Sequence, residues 1–192
     1  MERRRLLTGL CALGVGMPRI GRAQTSAAPD ASAPPRDDDR LVFAYGDRAG
    51  QVVVPGDLTV GSRQVFAFPM DPVGEVVRNA NRLNQIVVVR LDPGWLSEET
   101  RARSADGIVA YSGVCTHTGC DIDIWVEEQN RLQCMCHESQ FDPADAARVV
   151  GGPAPSQLAA LPLKLVDGRL AVAGPFLGRV GFQQPGLDPF GL

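Results

Sequence analysis

Cys115-Thr116-His117-Thr118-Gly119-Cys120 and, thirteen residues further on, Cys134-Met135-Cys136-His137-Glu138-Ser139 decide how this chain is read. The whole sequence of 192 residues holds five cysteines and two histidines, and both histidines sit in these two stretches with four of the cysteines. A chain that uses histidine nowhere else points to chemistry there. Thiolates and imidazoles together suit zinc, copper or an iron–sulfur cluster. A structural zinc takes four ligands at C-x₂₋₄-C-like spacing, so six candidates spaced C-x-H and C-x-C-H are too many for one ion. A scaffold of two disulfides leaves the histidines unexplained. A copper site leaves cysteines over. A [2Fe–2S] cluster with two cysteines on one iron and two histidines on the other uses four groups. Two cysteines then remain, and in an oxidising compartment they pair. Spacing alone does not say which cysteines would bind iron, and a zinc-stapled binding module remains the reading from a different class.

Outward from the two stretches the texture is β-like. Short β-branched runs bounded by Gly, Pro and Asp predict strands over residues 64–68, 85–91, 108–112, 122–126, 161–166 and 169–173. Asp167-Gly168 between the last two is a hairpin signal. Residues 96–105 predict a short helix with Ser97 as N-cap and Glu98 and Glu99 in its first turn. The fold class expected is all-β, an antiparallel sandwich or small barrel with long inserted loops. There is no G-x-G-x-x-G, no P-loop and no G-x-S-x-G, so nucleotide cofactors and a serine nucleophile have no support.

The N-terminus reads as an address. Arg3-Arg4-Arg5 precedes a short apolar run over residues 6–17, and Gly21-Arg22-Ala23 offers a cleavage site. The paired arginines resemble a twin-arginine export signal over residues 1–23, which implies a periplasmic protein exported folded, tethered if the signal is kept. Cys11 falls inside that segment. Residues 24–40, rich in Ala, Ser, Pro and Asp and ending in Asp37-Asp38-Asp39-Arg40, predict a flexible linker. The chain carries 19 basic and 22 acidic residues, net −3, which argues against a nucleic-acid partner. Removal of residues 1–23 would take five arginines and one glutamate and leave an acidic net of −7. No apolar run reaches the length of a spanning helix, so membrane association is expected to be weak or absent.

The two stretches resemble the boxes of the Rieske iron–sulfur family, C-T-H-x-G-C and C-x-C-H-x-S. The resemblance covers roughly residues 60–175. It implies a Rieske-type β-sandwich over residues 41–176, a cluster-binding part at about 112–156 and a C-terminal tail from 177. It implies that Cys115 and Cys134 bind one iron, that His117 and His137 bind the other, and that Cys120 and Cys136 form a disulfide over a Rieske [2Fe–2S] cluster. The extra cysteine pair places the chain in the higher-potential branch. Ser139 occupies the position whose hydroxyl donates to a bridging sulfide. Phe141 stands where many high-potential members carry a tyrosine donor, so the expected potential lies below the highest. Coupled electron and proton uptake at the histidines implies a potential that falls with rising pH at alkaline values. Gly152-Pro153-Ala154-Pro155 resembles the proline loop that covers the cluster in bc-type complexes. Gly107-Ile108-Val109-Ala110-Tyr111-Ser112 and Phe141-Asp142 are similar to the small subunit of arsenite oxidase. The function implied is one-electron transfer as part of an oxidoreductase. The donor would be a molybdenum subunit or a cytochrome b, and the acceptor a c-type cytochrome.

Overall fold

The structure is a computed structural model that describes residues 30–182; the expected export signal and the end of the expected tail lie outside them. Two antiparallel sheets make up the fold. The large one contains β1 (Arg40–Phe43), β2 (Val65–Met70), β3 (Ile86–Arg90), β4 (Ile108–Ser112), β9 (Leu163–Val166) and β10 (Arg169–Val172), in the order β4-β3-β2-β1-β10-β9. The small one contains β5 (Ile124–Val126), β6 (Arg131–Gln133), β7 (Gln140–Asp142) and β8 (Arg148–Gly151), in that order. Asp167-Gly168 turns β9 into β10, both residues at positive φ.

The large sheet curls on itself. The chain entering β9 runs beside β4: Ser112 N–H donates to the Ala159 carbonyl and Leu161 N–H to that of Ala110. This fills the far edge of β4. The strand pattern explains where the core divides. In β3, Ile86 and Val88 pack inside the curled sheet with Leu41, Ala67, Ile108 and Leu170, while Val87 and Val89 face the other way. The outward face meets Leu132, Phe141 and Ile122 of the small-sheet region. Both faces of β3 are therefore buried, which its unbroken run Ile-Val-Val-Val requires. The small sheet thus sits on the outside of β3 and β4, with one histidine-bearing stretch leading into it from β4 and the other in its β6–β7 loop.

Differences from the expected elements have local causes. β2 runs two residues past Phe68 because Pro69 faces β1 while β3 pairs only with Val65 to Ala67, so its missing N–H breaks no ladder there. The helix is shorter than expected: α1 spans Glu98–Arg101, with the Ser97 Oγ accepting from Thr100 N–H at 3.3 Å. Ile122 is not in a strand; its N–H donates to Gly113, closing the first box as a hairpin.

The expected linker is corrected over residues 30–39. Asp39 is 2% exposed and pairs with Arg78, itself 1% exposed, through two hydrogen bonds of 2.7 and 3.1 Å. Arg78 also donates to the Asp30 carbonyl, and Asn84 donates to that of Ala33. Asp39 holds the guanidinium even more firmly protonated than usual. Composition reads this stretch as solvated, but one buried cation from the chain before β3 folds it onto the sheet. Asp37 and Asp38 behave as expected of surface acids and pair with Lys164.

Candidate functional site

The first box follows β4 and the second follows β6, and both fold into the same loop. In the first, Cys115 N–H donates to the carbonyl five residues on, Cys120, and Gly119 N–H donates back to Cys115. In the second, Cys134 N–H donates to Ser139, again five on, and Glu138 N–H donates back to Cys134. Each loop needs a left-handed residue at its fifth position: Gly119 has φ +84° and Glu138 has φ +57°. Glycine takes that conformation freely, whereas glutamate carries a Cβ penalty.

These matched loops bring the candidate residues together. Cys115 and Cys134 are buried, 0% and 1% exposed, while His117 is half-buried and His137 exposed. The two imidazole Nδ1 atoms face each other at 3.2 Å, with ring centres 4.6 Å apart. Cys120 and Cys136 form a disulfide that ties the loops together, with Cα atoms 6.3 Å apart. The sulfurs of Cys120, Cys134 and Cys136 lie within 4.8 Å of one another. The bridged pair offers no thiolate to a metal, so among the described residues Cys115 and Cys134 are the free thiols.

The donor set fits a cluster with unlike irons: two sulfurs on the buried side and two imidazole nitrogens on the exposed side. Burial pushes the Cys115 thiol up to about 11, and backbone N–H groups of His117 and Thr118 directed at its sulfur pull the other way. The His117 N–H lies 3.5 Å from that sulfur. A buried thiol supplied with N–H donors is suited to a bound metal, whose positive charge offsets the desolvation of the thiolate.

The proline loop is fastened to both boxes. Thr116 Oγ1 donates to the Ser156 carbonyl at 2.6 Å. Ala154 N–H donates to Ser139 Oγ at 3.1 Å. Gly152, at φ +78°, passes so close that a Cβ there would stand 2.5 Å from Ser139 Cα. Ser139 and Phe141 are fully buried. Phe141 joins the core against Leu132 and Ile122, so the position without a hydroxyl serves packing. Arg82 and Gln85 also touch the first box or its flank and were not found from sequence. Only tertiary folding brings residues 82 and 85 there, so no local pattern marks them.

The chain is similar to several known proteins. The profile of the Rieske [2Fe-2S] domain matches residues 71–162. A cytochrome bc1 complex Rieske iron-sulfur subunit of Streptomyces lividans is 37% identical over 131 residues, which cover 66% of this chain and 76% of that protein. The corresponding subunit of Streptomyces coelicolor is equally identical, but the match covers only 37% of its length. A putative respiratory nitrate reductase Rieske subunit of Haloferax mediterranei is 47% identical over 83 residues, 43% of this chain and 36% of that protein. Among solved structures, the soluble domain of a Rieske protein from Sulfolobus acidocaldarius aligns with TM-score 0.38 and 21% identity, over 52% of this chain and 67% of the other. With paired loops, a bridging disulfide and buried thiols beside facing imidazoles, the chain belongs to the Rieske family, whose domain binds a [2Fe–2S] cluster.

Proposed function

We propose that Cys115 and Cys134 hold one iron, that His117 and His137 hold the other, and that the chain carries single electrons as a subunit of a respiratory oxidoreductase. The observation that carries this is the polarity of the site: sulfur ligands in the core, imidazole ligands at the surface. An electron arriving at or leaving the exposed side crosses little protein. The cluster would supply one-electron redox chemistry; the chain does the rest. The buried thiols anchor it, the disulfide and proline loop hold the two box loops in place, and Ser139 keeps its hydroxyl out of water.

The electron acceptor in this reading is a c-type cytochrome. For the donor, the bc-type arrangement is favoured by relatives named as bc1 Rieske subunits and by a proline loop bonded to both boxes. A molybdenum enzyme similar to arsenite oxidase is the second reading. It draws on residues 107–112, all but the first of which form β4, and on Phe141-Asp142, part of β7. Location in the periplasm by a twin-arginine route is part of the proposal and draws on Arg3 and Arg4, outside the described residues. Among the described residues no helix is long and apolar enough to cross a membrane.

The test is spectroscopic first. Purified protein should be red-brown and, when reduced, give the EPR spectrum of a Rieske centre, and Cys134→Ser should lose both. A colourless protein that holds zinc would overturn the reading. Reduction by a quinol in the presence of its cytochrome b, blocked by a quinol-site inhibitor, would select the bc-type donor. Reduction by a molybdenum subunit without quinol would select the other.

A further inference from the structure

The two box loops make the same internal bonds, but among the described residues a charged side chain grips the backbone of only the first. Arg82, in the turn before β3, donates Nη1 to the Gly119 carbonyl at 2.6 Å and Nη2 to the Asp121 carboxylate at 2.7 Å. Asp121 also accepts from Gln85 Nε2 at 3.2 Å, and the Tyr45 hydroxyl steadies Gln85 at 2.9 Å. The Gln85 carbonyl accepts from Gly113 N–H at 2.8 Å, at the base of the same hairpin. Gly119 lies between His117 and the bridged Cys120, so the clasp closes on the loop that would carry one histidine ligand.

We infer that Arg82 and Asp121 form a charged clasp that positions the first box and sets part of the cluster's reduction potential. The inference rests on the ligand set proposed above. A cation bonded to the loop's own carbonyl stabilises the extra negative charge of the reduced state, and the carboxylate beside it opposes that effect. The two side chains are 51% and 41% exposed, so added salt should weaken both contributions. Arg82 is a positioning residue: its contact is with backbone and Asp121, not with a ligand side chain.

The test separates charge from mere structure. Arg82→Gln and Asp121→Asn each weaken the same hydrogen-bonded pair. A purely structural role moves the midpoint potential of both variants in one direction. A charge role moves them oppositely. In the cluster-loaded full chain at low salt, Arg82→Gln should lower the midpoint and Asp121→Asn should raise it. Both shifts should shrink as salt is added, and Arg82→Lys should lie nearer the parent than Arg82→Gln does. Two shifts of the same sign, or none, in proteins whose EPR spectrum shows a Rieske centre would overturn the inference alone. A parent protein that takes up no such centre would overturn the ligand set and this inference with it.

Discussion

Replacing Ser139 with alanine should lower the reduction potential by a measurable amount, and the structure gives the reason. Ser139 is fully buried, and its Oγ accepts a hydrogen bond from Ala154 N–H. The hydroxyl proton has no acceptor among the described side chains and carbonyls. A buried hydroxyl with an uncommitted proton beside a sulfur-rich site is placed to donate to the cluster. Hydrogen bonds to charged groups contribute about 1.5–3 kcal/mol. The reduced cluster carries one more negative charge, and a tenfold change in equilibrium is about 59 mV for one electron. The expected fall is therefore about 60–130 mV, taking the whole increment as specific to the reduced state. Voltammetry of the parent and of Ser139→Ala measures it. A midpoint within roughly 15 mV of the parent, under half a kcal/mol, would show that the proton is spent elsewhere and refute the reasoning. The same variant strands Ala154 N–H, so a separate change in stability of about 1–3 kcal/mol is expected and should be measured by denaturation.

Two backbone positions should respond with opposite signs. Gly152→Ala puts a Cβ against Ser139 Cα and an L-residue at φ +78°, costing about 1–2 kcal/mol for the conformation alone and more for the clash, so the variant should release iron faster to a chelator. Glu138→Gly relieves the same kind of strain at φ +57° and should raise stability by roughly 1 kcal/mol in urea denaturation. At the other end of the molecule, Asp39→Asn leaves buried Arg78 with only the Asp71 carboxylate, 3.8 Å away, as counter-charge and should cost up to about 3–5 kcal/mol, a Tm loss of roughly 10 °C at this size. Asp39→Leu combined with Arg78→Met should recover most of that loss, and a double variant as unstable as the single would contradict the assignment. The N–H donors of Val73 and Gly74 hold the Asp71 carboxyl below its ordinary value, so the stabilisation it gives is present above about pH 4 and lost as pH falls. Asp71→Asn should accordingly melt lower than the parent at neutral pH, with the gap closing as the pH falls and the Asp71 carboxyl is protonated; a gap constant with pH would count against it.

The site was legible in sequence because its chemistry demands particular residue types at short spacing. Cys115 through Ser139 could be read without knowing any contact. The longer strands were legible for a related reason: Ile-Val-Val-Val in β3 and Ile-Val-Ala-Tyr in β4 carry enough β-branched or apolar residues to declare themselves. β6 to β8 did not. Arg131-Leu132-Gln133 buries a single residue, and three positions cannot establish a period. β1 was hidden by its neighbour, the acidic run, whose last member is buried by an arginine 39 positions away. Arg82 was hidden for the same cause: its partners, Gly119 and Asp121, lie across the fold. What escaped at β1 and at Arg82 is in both cases a polar group whose partner is distant.

The closeness of Cys134 to the bridged pair bears on how the protein must be put together. A free thiolate there is within 4.8 Å of both bridge sulfurs, near enough to exchange with them. Bonding to Cys120 would displace the Cys136 thiolate and consume a proposed iron ligand without any added oxidant. Iron held on Cys134, as proposed above, would block that attack. The order of events follows: the metal goes in before the sulfurs are oxidised, or the chain risks locking itself into a form that cannot be filled. Cleavage at Met135, which separates Cys134 from Cys136, would reveal the wrong pairing in chains oxidised empty. Empty chains that keep only the Cys120–Cys136 bridge would show that order to be unnecessary.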